Sequence, residues 1–267
     1  MRRKDYPKGD SDGVKRATKE AILKILNNKR VRNKIQLKAI ILFLKDTGLR
    51  ISDARRLDCD FFLESIEKNP NTDVIEIHII TQKTKLLAKT FLGQEAIDAL
   101  KEYLRLREIG SRRIEPETIT KNSPLFKSWK KGKIRRIPRT YFSSLIAQAF
   151  TSINEKRMSA HSLRKKLQTD LERAGVNTNW IDQILGHKLI NSRDAYSLPT
   201  DEELREAYKF IRVYPEINMA PILDTQKEAT QEQQTPPQNT TLTAEQIVQL
   251  LKPEQVIQLI EKLRANS

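Results

Sequence analysis

The sequence predicts an α+β domain, mainly α, with a small antiparallel β-sheet and a C-terminal helical tail. Three observations lead there. Apolar residues recur at helical spacing through most of residues 18–212. One block breaks that period: Val74–Thr81 (VIEIHIIT) and Leu86–Leu92 read as two strands around a Lys83-Thr84-Lys85 tip. Finally, residues 218–240 lack periodicity and are rich in Gln, Thr and Pro, after which an amphipathic pattern returns over 243–265.

The elements follow in order. Ile22, Leu23 and Leu26 mark a helix over residues 18–28. Ile35, Leu37, Ile40, Ile41 and Leu44 mark a second over 31–47, ended by Gly48. A short helical stretch, Ser52 to Leu57, precedes a strand-like segment, Phe61–Ile66, and then the hairpin. Helices are expected over Gln94–Glu108, Pro138–Ile153 and Ala160–Ala174, the last stopped by Gly175. Asn177 is a good N-cap for a helix running to Leu185 and stopped by Gly186. Thr200 and Glu203 have the spacing of a capping box for a helix reaching about Arg212. The expected organisation is a basic N-terminal tail (1–15), a main body (16–214), a flexible linker (215–240) and a helical segment (241–267).

Composition narrows the function. The chain has 267 residues, a net charge of +15 and a pI near 9.8. The longest apolar run, Ala39 to Leu44, is far shorter than the ~20 residues that span a bilayer. The charged N-terminus has no apolar segment behind it, so the expectation is a soluble cytoplasmic protein. A lone Cys59 leaves no internal disulfide and no multi-cysteine metal site. The charge is concentrated: residues 1–38 carry 13 Lys/Arg against 4 Asp/Glu, and residues 121–139 carry 8 basic residues and no acidic one. Two such stretches on a near-neutral body are read as surfaces that track phosphates, with solubility as the plainer explanation.

The chemistry-bearing residues point the same way. His161-Ser-Leu-Arg164 opens a helix, Leu185-Gly186-His187 closes another, and Tyr196 follows nine residues later. Far upstream, Thr47-Gly48-Leu49 leads into Arg50. Arginines offer planar paired donors that fit the oxygens of a phosphodiester, and a cationic site can make a phenol nucleophilic by lowering its pKa from about 10. Each residue alone has a structural alternative. Arg50 could be a surface ion pair with Asp46 or Asp53, and Lys83 a solvated lysine with Lys85 as a rival. His161 and His187 could be helix-end residues. Tyr196 could be a core aromatic, with Tyr208 or Tyr214 in its place.

Together these residues resemble the tyrosine recombinases, the phage-integrase family, over about residues 16–214. The pattern is an arginine after Thr-Gly-x (Arg50), a lysine on a β-hairpin (Lys83), His-x-x-Arg (His161, Arg164), Leu-Gly-His (His187) and a later tyrosine (Tyr196). The run Tyr196 to Tyr208 is similar to the archaeal plasmid and virus integrases. The resemblance implies that Tyr196 attacks the scissile phosphate to form a 3′-phosphotyrosine. Arg50, Arg164 and His187 would hold the phosphate, His161 would assist proton movement, and Lys83 would protonate the 5′-oxygen. It implies double-stranded DNA as partner, a homo-oligomer (a tetramer) on DNA, and no cofactor, metal or ATP.

Three departures stand out. Asp53 occupies a position that is usually Glu in the family, a shorter carboxylate beside Arg50. Lys165 and Lys166 follow Arg164 where a His or Ser is common. Only 49 residues precede Arg50, whereas full-length relatives carry a DNA-clamping domain of ~100 residues there, within the ordinary domain range. The expectation is a chain without that domain, whose DNA affinity rests on the basic stretches and is salt-sensitive. Competing readings are a degenerate recombinase and a helix-turn-helix regulator built on residues 164–186, with a type IB topoisomerase sharing the chemistry.

Overall fold

A helix covered on every side belongs at the centre of a domain, and Ile35–Thr47 is such a helix: every residue from Gln36 to Thr47 is buried. The computed structural model describes residues 15–29, 35–111, 114–128, 135–188 and 199–209. All of them lie in the first of two units into which the chain divides, residues 1–221.

In chain order the described elements are α1 (Lys19–Asn27), α2 (Ile35–Thr47), α3 (Ile51–Ala54), α4 (Asp60–Lys68), β1 (Val74–Ile80), β2 (Leu87–Gly93), α5 (Gln94–Ile109), β3 (Lys127–Ser128), β4 (Arg135–Arg136), α6 (Arg139–Thr151), α7 (Ala160–Arg173), α8 (Thr178–Leu185) and α9 (Asp201–Lys209). Strands β1 and β2 pair antiparallel in a register from Val74↔Gly93 to Ile80↔Leu87. A second short antiparallel pair joins β3 to β4.

Two apolar clusters set the geometry of the site. The larger surrounds α2 and includes Ile22, Ile40, Phe43, Leu100, Phe126, Phe142 and Leu163. The smaller joins Val74 and Phe91 of the sheet to Leu167, Leu171, Ile181, Ile184, Leu185, Leu204 and Tyr208. It fastens α7, α8 and α9 to one hairpin. Full burial of each such side chain contributes about 1.5–3 kcal/mol. Helix α2 also buries a cation, Lys45. Burial alone would lower its pKa, but Asp46 and Glu95, each 2.7 Å from its Nζ, reverse the sign and hold it ionised.

Most expected elements are present, including the Thr200–Glu203 capping box. There Glu203 Oε2 accepts from the Thr200 N–H at 2.8 Å, and Thr200 Oγ1 accepts from the Glu203 N–H at 3.2 Å. One expectation is wrong. Phe61–Ile66 is not a strand but lies within α4, with Asp60 in the first turn and Lys68 in the last, where each charge complements the helix dipole. The expected 52–57 helix is shorter, ending at Ala54. The β3–β4 pair inside the basic stretch was not foreseen. The N-terminal tail through residue 14, Tyr196, Tyr214, the 215–240 linker and the 241–267 segment lie outside the described residues.

The basic stretch itself is reinterpreted. Lys121 pairs with Glu64 at 3.3 Å, Lys127 with Glu117 at 2.6 Å, and Arg136 with Asp58 at 2.6 Å. Glu117 also holds the fully buried Arg107 at 2.6 Å. Counting charges within the stretch missed these partners because they come from other segments. Of its described cations, Arg135 and Arg139 are the two with no such bond.

Candidate active site

Two positive-φ glycines bring the site together. Gly48 (φ +57°) ends α2, and a Cβ there would meet Leu167 and Leu185 at 2.8 and 2.9 Å. The turn makes Arg50 the N-cap of α3 with an extended backbone (ψ 151°). Arg50 Nη1 is buried and meets no acceptor. Asp53, fully buried one turn later, accepts from the Gln82 backbone N–H at 2.7 Å through Oδ1, while its Oδ2 is buried without a partner. The shorter carboxylate therefore fastens the hairpin turn.

Helix α7 carries the second cationic group. Ser159 and Ser162 form a capping box that fixes its first turn. His161, exposed in that turn, and Arg164, only 4% exposed, sit three residues apart and so share a helix face. Arg164 Nη1 donates to the Gly48 carbonyl at 2.7 Å, and Nη2 donates to the Leu185 carbonyl at 2.7 Å. Both glycine-stopped helix ends thus converge on one guanidinium. Burial first, then the neighbouring Arg50 charge, pushes the Arg164 pKa down to about 9, which leaves it cationic at neutral pH. Of the two lysines that follow it, Lys166 pairs with Asp170.

Helix α8 ends at Gly186 (φ +65°), where a Cβ would meet Thr81 Cγ2 at 2.6 Å and Ala88 Cβ at 2.9 Å. Only glycine fits there, because the hairpin presses against it. Thr84 Oγ1 donates to the Gly186 carbonyl at 2.8 Å, completing that contact. His187 follows, with Nε2 2.8 Å from Arg164 Nη2 and Nδ1 3.0 Å from Asp182 Oδ1. These distances assign its tautomer. A guanidinium can only donate, so Nε2 is bare and accepts; the proton sits on Nδ1 and points at the Asp182 carboxylate. Burial, and then the Arg164 charge, hold the His187 pKa below its ordinary value of 6.5.

These groups open onto a cleft of about 570 Å³, lined among others by Arg50, Gln82, Lys83, Arg139, His161 and Arg164. Lys83 lines it and Lys85 does not; Lys85 instead takes a left-handed backbone (φ +59°). Four of the six expected residues therefore line one cleft, and His187 reaches it through Arg164. Tyr196 is outside the described residues. Its rival Tyr208 is 1% exposed and packs on Phe91, with ring centroids 5.3 Å apart, which makes it a core residue.

Sequence reasoning missed Asp182 and Arg139. Asp182 could have been noticed as a carboxylate one turn inside a helix whose C-terminal glycine precedes a histidine. Among the described residues one group has metal-ligand character, Glu76, His78 and Asp201. Its carboxylates are bonded to Arg205 (2.7 Å) and Lys89 (2.6 Å), and none of the three lines the cleft.

Two guanidiniums, a lysine and a histidine line one cleft on a mainly helical body with a small antiparallel sheet. Residues 15–203 match the model of the phage integrase family, and the chain belongs to that family. It is similar to the protein named Tyrosine recombinase XerC of Thermodesulfovibrio yellowstonii, 27% identical over 176 residues that cover 64% of this chain and 52% of that one. The protein of the same name in Treponema denticola is 26% identical over 185 residues, covering 64% of this chain and 54% of the relative. The chain therefore spans about half the length of the curated relatives it matches. The integrase from mycobacterium phage Brujita shares the fold, with a TM-score of 0.50 and 16% identity, over 94% of this chain and 66% of that one.

Proposed function

We propose that this chain is a site-specific DNA recombinase of the tyrosine type, which cuts and rejoins duplex DNA through a 3′-phosphotyrosine intermediate. The observation that carries the reading is the pairing of Arg50 with Arg164 in one cleft, with Arg50 Nη1 buried and lacking an acceptor. Bringing two like charges together costs folding free energy, and an anion between them relieves that cost. The family membership and the names of the bacterial relatives support the same chemistry.

In this reading Tyr196 Oη attacks the phosphorus. A tyrosine O–P bond forms as the bond from phosphorus to the 5′-oxygen breaks. His161 takes the phenolic proton, and Lys83 Nζ gives its proton to the departing oxygen, which leaves as a 5′-hydroxyl. Arg50 and Arg164 meet the negative charge that builds on the non-bridging oxygens, where fixed donors are most effective. Attack by a 5′-hydroxyl reverses the step, so the diester bond energy is kept and rejoining draws on no ATP.

The body would extend over residues 16–214. The 241–267 segment, reached through the 215–240 linker, would dock between protomers of a tetramer on DNA. Deleting residues 218–267 should then reduce assembly while leaving single cleavage events; unchanged assembly would contradict that role. A cytoplasmic location fits this function, and no described helix is long and apolar enough to cross a membrane. Kinship with archaeal integrases rests on the 196–208 run alone, and the two curated relatives named above are bacterial.

The test is adduct formation on a nicked duplex in EDTA, comparing the natural chain with Arg50→Ala. The natural chain should give an SDS-resistant adduct, and the variant should give it about 10²–10³ times more slowly, as for loss of one oxyanion donor. DNA binding with no adduct at any nick position would favour a DNA-binding protein without catalysis.

A further inference from the structure

His187 faces three charged groups. Asp182 on its own helix contacts Nδ1, Arg164 from α7 contacts Nε2, and Arg50 adds a more distant positive charge from the start of α3. In this state Nε2 is an acceptor and cannot donate to an anion. In the proposed reading a phosphodiester would draw one Arg164 Nη2 hydrogen away from His187 while the other stays on the Leu185 carbonyl, and Nε2 would then face the anion. A neutral histidine could answer by moving its proton to Nε2. That would leave a bare Nδ1 lone pair against the Asp182 carboxylate, two acceptors 3.0 Å apart. Asp182 therefore excludes the neutral Nε2–H form.

Resting on the proposed function, we infer that Asp182 is a positioning residue that makes His187 bind a phosphodiester only as the imidazolium, so that substrate binding takes up one proton. The proton comes from water and goes to Nε2, and the carboxylate and the phosphate flank the resulting cation on its two nitrogens. Depression of the His187 pKa before binding agrees with this order: burial and Arg164 keep the ring neutral until the anion arrives. Asparagine at the same position would lift the constraint, because its side-chain amide can donate to a bare Nδ1. The neutral Nε2–H form then becomes available, and the proton requirement disappears.

The experiment measures affinity for a nicked duplex between pH 5.5 and 8 in the Tyr196→Phe background, which binds without cleaving. Affinity should fall by up to about tenfold per pH unit above the free His187 pKa, as linkage to one proton requires. With Asp182→Asn added, that dependence should shrink by one proton. With Asp182→Ala, which also removes the acceptor facing Nδ1, the dependence should shrink likewise. Equal slopes with and without the Asp182→Asn substitution, or no slope in either protein, would overturn the inference. A second readout needs no variant: ¹⁵N shifts of His187 in the free natural chain should show the proton on Nδ1, and a proton on Nε2 would also overturn it. Failure of the proposed function is separate, since it appears as absence of adduct from the chain with Tyr196 intact.

Discussion

The backbone N–H of Gln82 donates to Asp53 Oδ1 at 2.7 Å, so the turn that presents Lys83 is fastened to the helix that begins at Arg50. The arginine proposed to bind phosphate and the lysine proposed to donate the proton are thereby held in one frame. Asp53→Asn keeps a carbonyl oxygen at that position and should preserve cleavage within a few fold. Asp53→Ala removes the acceptor of this part-buried hydrogen bond, at a cost of about 0.5–1.5 kcal/mol, and should slow cleavage. Urea denaturation with adduct kinetics on both variants checks this.

Lys83 and Lys85 should separate cleanly. Lys83→Ala should slow adduct formation about 10²–10⁴-fold, the usual worth of a positioned general acid, and Lys85→Ala should change little. A substrate with sulfur in place of the leaving 5′-oxygen needs no proton to depart. It should restore Lys83→Ala towards the natural rate, and leave Arg50→Ala slow.

Gly186→Ala should be among the most damaging small substitutions. The left-handed backbone costs a non-glycine residue about 1–2 kcal/mol, and the added Cβ would meet Thr81 at 2.6 Å. A lowered urea midpoint with unchanged m-value is expected, together with slower cleavage, because the displaced hairpin carries Lys83.

The sequence displayed the site more fully than it displayed the secondary structure around it. Arg50, His161, Arg164 and His187 were legible because glycine stops and helix starts bracket them, and Lys83 because it lies at a hairpin tip between two strand-patterned runs; those local signals govern where the chain turns. Phe61–Ile66 misled because its aromatic and branched residues favour strands. In place, Phe62 is the buried anchor of an amphipathic helix, with Phe61, Leu63 and Ile66 half-covered. Ion pairs such as Lys127–Glu117 and Arg136–Asp58 were invisible because they depend on which segments the fold brings together. Asp182 was missed for a related reason, since its value appears only once His187 is seen between it and Arg164.

Stability should depend on pH through His187. Its folded pKa lies below the ordinary 6.5, so below about pH 6.5 the unfolded chain binds more protons. The contribution is fully present above that pH and is lost as pH falls from there through the folded value. His187→Gln should flatten this part of the profile. Urea midpoints at pH 5.5 and 7.5 for both proteins give the difference directly.

The most direct test of the account is a denaturing gel of protein incubated with nicked duplex in EDTA, run for the natural chain and for Tyr196→Phe. The natural chain should give an SDS-resistant DNA adduct, mapped by peptide sequencing to Tyr196 and missing from the variant. An adduct of equal yield from Tyr196→Phe would contradict it and move the nucleophile to another residue.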